Sequence, residues 1–98
     1  MSYSLIIPIY NEEKTLVSLL NQLNIIDKKI EVIIINDGST DKTKHILDSQ
    51  CHFKVIHIPV NGGKGSAIRS GANLANKENL ILMDGDLEIN LSCLHSLI

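Results

Sequence analysis

The sequence predicts an α/β fold of three layers, with helices on both faces of a mostly parallel sheet, present here in truncated form. Three observations carry that expectation. Four short apolar runs alternate with longer stretches of helical periodicity, which is the pattern of strand, crossover helix and parallel strand. The runs are apolar on both faces, as buried parallel strands are. Turn signals separate them, among them Asn36-Asp37-Gly38 and Asn61-Gly62-Gly63.

The strands are expected at 3–9 (YSLIIPI), 30–37 (IEVIIIND), 53–59 (FKVIHIP) and 79–84 (NLILMD). Helices are expected between them. In 12–26, Leu16, Leu19, Leu20 and Leu23 form one stripe. In 40–50, Ile46 and Leu47 stand among polar residues. In 64–76, Ala67, Ile68, Gly71, Ala72 and Ala75 make a face of small residues suited to close packing on a sheet. The final residues, LSCLHSLI, read as a helix that has just begun. Leu91, Leu94, Leu97 and Ile98 fall at helical spacing and need something to pack on. The 98 residues are therefore expected to be one part of a larger domain, with an exposed patch that favours self-association.

The balance of 44% hydrophobic and 20% charged residues is that of a globular chain. A net charge of −2 offers no basic footprint for nucleic acid. No apolar run approaches the ~20 residues that span a bilayer, and no signal peptide is visible. Cys51 and Cys93 lack CxxC spacing and read as reduced thiols, so a cytoplasmic setting is expected. His45, His52, His57 and His95 show no ligand spacing and read as surface or sheet-edge residues.

In a parallel sheet of this kind ligands sit outside the carboxyl ends of the strands. The residues just after each strand are then the candidates. After the fourth run come Asp84, Asp86 and Glu88, at every second position. In extended backbone such residues share a side, and like charges gathered there call for a cation. All-oxygen ligands suit Mg²⁺ or Mn²⁺. The competing reading is an Asp-Gly turn with Asn90 as a helix cap. NDGSTD has the same double meaning. Ser39 or Thr40 could cap a helix and Asp41 favour its N-terminus, but Asp37 need not be acidic to turn. In NEEKT, Asn11 reads as a cap, with Glu12 and Glu13 in a first helical turn. NGGKGSAIRSG sets glycines and Lys64 before a helix start, an anion-friendly arrangement. It is neither a P-loop nor a GxGxxG, since Ile58 and Gly65 break the first pattern and Ile68 the second. A dinucleotide-binding domain calls for a glycine fingerprint after the first strand, where Tyr10-Asn11-Glu12-Glu13 stands instead. A receiver-like domain needs a lone Asp after the third strand, and His57-Ile58-Pro59-Val60 stands there instead.

IIPIYNEEKTL, VIIINDGSTDKT, NGGKGSAIRSGANLA and LILMDGDLE stand in the order and spacing of the family 2 glycosyltransferases. The resemblance spans residues 4–88. It implies a GT-A fold, whose N-terminal half binds a nucleotide-diphosphate sugar, UDP- or GDP-linked. DGDL resembles the dolichol-phosphate mannosyltransferase branch, although Glu88 and Asn90 depart from that branch's pattern. The resemblance implies that Pro8, Tyr10 and Glu12 line the base and ribose pocket and that Asp37 bonds the base. It places Lys64, with Arg69, near the nucleotide. Asp84 and Asp86 become the DxD pair, with Asp86 and Glu88 at an Mn²⁺ or Mg²⁺ ion. The expected reaction is sugar transfer to an acceptor such as a polyprenyl phosphate or a glycan, with the parent protein at the cytoplasmic face of a membrane. The catalytic base is expected beyond these 98 residues, which makes a nucleotide-binding fragment without turnover the alternative.

Overall fold

A computed structural model describes residues 3–26, 28–76 and 79–83. The expected residues Asp84, Asp86 and Glu88 and the apolar stripe from Leu91 to Ile98 lie outside them.

The element order is β1 (Tyr3–Ile9), α1 (Leu16–Leu23), β2 (Ile30–Asp37), α2 (Thr43–Gln50), β3 (Lys54–Ile58), α3 (Lys64–Leu74) and β4 (Asn79–Leu82). The described strands lie in the order β3-β2-β1-β4, and every pairing is parallel. The first two crossovers step from β1 outward through β2 to β3. The third returns to the other side of β1. Because crossovers are right-handed, reversing direction puts the third helix on the opposite face.

The core shows that division. Leu5, Ile7, Ile9, Val32 and Ile34 face α1 and α2, meeting Leu16, Leu19, Leu20, Leu23 and Leu47. Ile6, Ile33 and Ile35 face the other way, toward Ala67 of α3. The three layers predicted from the alternation are therefore present, and the GT-A-like parallel arrangement with them.

The small-residue face of α3 does what its composition suggests. A methyl group added at Gly71 would stand 2.7 Å from Ile35 Cδ1 and 2.7 Å from Ile6 Cγ2. Only a residue without Cβ brings this helix so close to β1 and β2. The lower end of the sheet is braced by Glu31. Its carboxylate accepts Ser4 Oγ at 2.7 Å and the Asn76 amide at 2.8 Å, and pairs with Lys54. One side chain thus ties β1, β2, β3 and the α3–β4 connection together.

The helices differ from expectation at their ends. α1 begins at Leu16 because Glu12–Thr15 forms a separate turn, with the Leu16 amide on the Glu12 carbonyl at 2.9 Å. α2 begins at Thr43, later than position 40, because Ser39 and Thr40 are bonded elsewhere.

Candidate functional site

All described strands run the same way, so the segments that follow β1, β2 and β3 open on one edge. β2 sits centrally there and organises its neighbours. Asp37, its last residue, is only 3% exposed. Its carboxylate accepts the Gly62 amide at 3.0 Å, the Gly63 amide at 3.1 Å and the Asn61 side-chain amide at 3.2 Å. Asn61 Nδ2 also donates to the Asp37 carbonyl at 3.0 Å. A carboxylate has about four acceptor positions, and the 61–63 loop uses most of them.

Gly38 follows with φ +73°, and a Cβ there would lie 2.2 Å from the Asn61 backbone nitrogen. The two loops therefore touch backbone to backbone. The requirement for glycine here is doubled, by the left-handed conformation and by the close approach.

A second clasp joins the β1–α1 and β2–α2 segments. Asn11 adopts φ +52°, a conformation asparagine tolerates better than most residues. Its amide donates to Ser39 Oγ at 3.0 Å, and its side-chain carbonyl accepts the Thr40 amide at 2.8 Å. The Glu12 amide donates to Thr43 Oγ1 at 3.0 Å, and the Glu13 amide to Asp41 Oδ2 at 3.3 Å. Asp41 Oδ1 takes the Thr43 amide at 2.9 Å, so Asp41, not Ser39 or Thr40, satisfies the start of α2. Burial pushes the Asp41 pKa up, but the Thr43 hydroxyl and amide and the Glu13 amide outweigh it and hold the carboxyl below its ordinary value. Asn11 likewise does not cap α1; its side chain is spent on the neighbouring loop.

Strand order reverses between β1 and β4, which makes their carboxyl ends the crevice of the sheet. The last described bond between them runs from the Met83 amide to the Ile6 carbonyl at 3.0 Å. In a strand the N–H and C=O of one residue point the same way, and the direction repeats every second residue. Pro8 therefore presents its missing donor on the β4 side, past the last described bond of that row and away from the β2 ladder. A proline is tolerated in this central strand for that reason.

The sequence matches the family described as Glycosyl transferase family 2 over residues 4–98. The chain belongs to glycosyltransferase family 2. It is similar to the dolichyl-phosphate beta-glucosyltransferase ALG5A of Trichomonas vaginalis, 38% identical over 96 residues, covering 85% of this chain and 30% of that one. It is also similar in structure to Staphylococcus aureus TarS 1-349 in complex with UDP, with a TM-score of 0.82 and 33% identity over 99% of this chain and 31% of the other. Glucosyl-3-phosphoglycerate synthase from Mycobacterium tuberculosis, in complex with Mn²⁺, UDP and glucosyl-3-phosphoglycerate, gives a TM-score of 0.73 at 26% identity, over 89% of this chain and 34% of that one. The chain thus spans about a third of the length of each.

Of the residues singled out in the family 2 motifs, Pro8, Tyr10, Glu12 and Asp37 are on the described edge. Tyr10 is 45% exposed, Pro8 is buried and Glu12 half-buried, its carboxylate accepting Thr15 Oγ1 at 3.2 Å. Lys64 opens α3, directly after Gly63 at φ +91°. Arg69, further along the helix, is exposed. Among the described residues no group of three or more His, Cys, Asp or Glu could hold a metal ion; Asp84, Asp86 and Glu88 lie outside them. Sequence reasoning passed over Asn61, Asn36 and the Asn11–Thr40 pairing. All are amides that read as turn or cap residues, and each has a partner 21 or more residues away. No local signal could have named those partners.

Proposed function

We propose that this chain is the nucleotide-sugar-binding part of a glycosyltransferase that moves a sugar from a nucleoside-diphosphate donor to an acceptor, with a polyprenyl phosphate as the acceptor class. The family match over residues 4–98 carries the reading. The geometry supports it, because the motif segments that follow β1, β2 and β3 open on one sheet edge, at the end of the sheet where the β1/β4 crevice lies. The relative named for dolichyl phosphate supports the acceptor class.

In this reading Pro8, Tyr10 and Glu12 border the base and ribose, and Lys64 stands near the diphosphate. Asp37 shapes the pocket by holding the 61–63 loop and keeps its remaining acceptor position for the base. Asp84, Asp86 and Glu88 come next in the sequence after β4, outside the described residues. As an all-oxygen, anionic donor set they fit Mg²⁺ or Mn²⁺. Asp86 and Glu88 would hold the ion and Asp84 would face the nucleotide. When bound, the ion supplies Lewis-acid stabilisation of the negative charge that grows on the departing diphosphate. The 98 residues are proposed to bind the donor without turning it over.

The test is calorimetric titration of the chain with UDP, GDP, ADP and CDP, each with Mn²⁺ and with EDTA. Tight binding of UDP or GDP, stronger with the metal, is the expected result. No binding of any nucleoside diphosphate would overturn the reading.

A further inference from the structure

Asn36 is 3% exposed, and its side chain spans two partners. Its Oδ1 accepts the Ser39 amide at 3.3 Å, and its Nδ2 stands 3.1 Å from His57 Nδ1. His57 Nε2 stands 2.9 Å from Asp48 Oδ1 on α2. One assignment of protons satisfies all three contacts. Ser39 N–H can only donate, so the Asn36 oxygen must face it. The Asn36 nitrogen then faces His57, whose Nδ1 must offer a lone pair. The ring proton sits on Nε2 and is donated to Asp48.

Ser39 is the residue whose hydroxyl accepts the Asn11 amide. The chain Asp48–His57–Asn36–Ser39–Asn11 therefore runs from α2 through two strands to the clasp that joins the β1–α1 and β2–α2 segments. A proton added at Nδ1 would put donor against donor at Asn36. Rotating the Asn36 amide only moves the conflict to Ser39. One of the two bonds of a buried amide is lost in either case.

We propose that His57 is a positioning residue for the β2–α2 loop, fixing it through Asn36, and that protonation of its Nδ1 loosens the loop. Among the described residues, the charged groups around it come from α2 and the neighbouring strands. From α2, Asp48 faces the ring, with Lys44 3.9 Å from the other Asp48 oxygen. From β2, Asn36 is uncharged, and Asp37 serves the 61–63 loop on the opposite face of the sheet. On β3, Lys54 is paired with Glu31 at the far end. The consequence for nucleotide affinity rests on the function proposed above; the effect on the loop does not.

The experiment is amide hydrogen exchange at Ser39, corrected for the intrinsic pH dependence of exchange, between about pH 5 and 8. It compares the unmodified chain with His57→Asn, whose Oδ1 replaces the Nδ1 acceptor without titrating, and His57→Leu, which removes it. In the unmodified chain Ser39 protection should fall roughly three- to tenfold on acidification, the range of one lost hydrogen bond. His57→Asn should abolish that fall, and His57→Leu should show low protection at every pH. UDP affinity should follow the same three profiles. A flat Ser39 profile while the His57 ring signals titrate would overturn the proposal, as would an undiminished fall in His57→Asn. If UDP binds at no pH while Ser39 still responds, the nucleotide reading fails and the positioning role stands.

Discussion

Asp37 Oδ1 accepts the backbone amide of Gly62 at 3.0 Å, across 25 residues of sequence. A carboxylate at the end of one central strand thus sets the conformation of the loop that leads into α3. The family resemblance implies a bond from Asp37 to the nucleotide base; in the fold its carboxylate first has a structural duty.

Asp37→Ala should therefore cost on two counts. It leaves the Gly62 and Gly63 amides without their acceptor, while Asn61 keeps the Asp37 carbonyl, at about 1–3 kcal/mol of stability. Nucleotide affinity should fall with it. Denaturant unfolding and UDP titration of the same variant check both effects. Unchanged stability would mean that the 61–63 loop does not depend on this carboxylate.

Gly38→Ala and Gly71→Ala should separate two kinds of glycine. At position 38 the new methyl meets backbone, 2.2 Å from the Asn61 nitrogen, in a left-handed conformation. The loops must part, and nucleotide binding should be lost. At position 71 it meets two side-chain methyls, the Cδ1 tip of Ile35 and the Cγ2 branch of Ile6, so α3 must ease away from the sheet by a small amount. Overpacking there should cost roughly 1–3 kcal/mol, with binding kept. Thermal melts and UDP titrations distinguish the two.

Glu31 gives an acid-side prediction. Burial pushes its pKa up, but the bond from Lys54, those from Asn76 and Ser4, and the Lys54 charge prevail and hold it at about 2, against 4.5 ordinarily. A carboxyl with a depressed folded pKa stabilises the protein above its unfolded pKa, and loses that contribution as pH falls through its folded value. Glu31→Gln should therefore be less stable than the parent chain at neutral pH. The difference should shrink between pH 4.5 and 2. Chemical denaturation across that range checks it. A difference independent of pH would show that shape, not charge, makes the brace.

Asp86→Asn should remove the metal dependence of UDP or GDP binding while leaving the melting temperature close to that of the parent. The residue belongs to the proposed metal set and comes in the sequence after β4, which runs from Asn79 to Leu82. Equal UDP affinity with Mn²⁺ and with EDTA in the parent chain would sink the metal role before any variant is made.

Two of the strands are legible to the residue. The Ile-rich runs at 3–9 and 30–37 became β1 and β2 at their predicted bounds, because burial on both faces leaves an uninterrupted apolar signal. The small-residue face at 64–76 announced the close helix, and the alternation of runs announced the parallel sheet and its layers. Those properties are written locally, in composition and period. Three things are not local. The return of the chain to the far side of β1 is visible only in the strand order. The caps predicted at Asn11, Ser39 and Thr40 went instead to partners 28 or 29 residues away. His57, unremarkable in sequence, acquired Asn36 and Asp48 as neighbours. A short polar side chain satisfies whichever donor or acceptor the fold brings within 3 Å or so, and only the tertiary structure decides which that is.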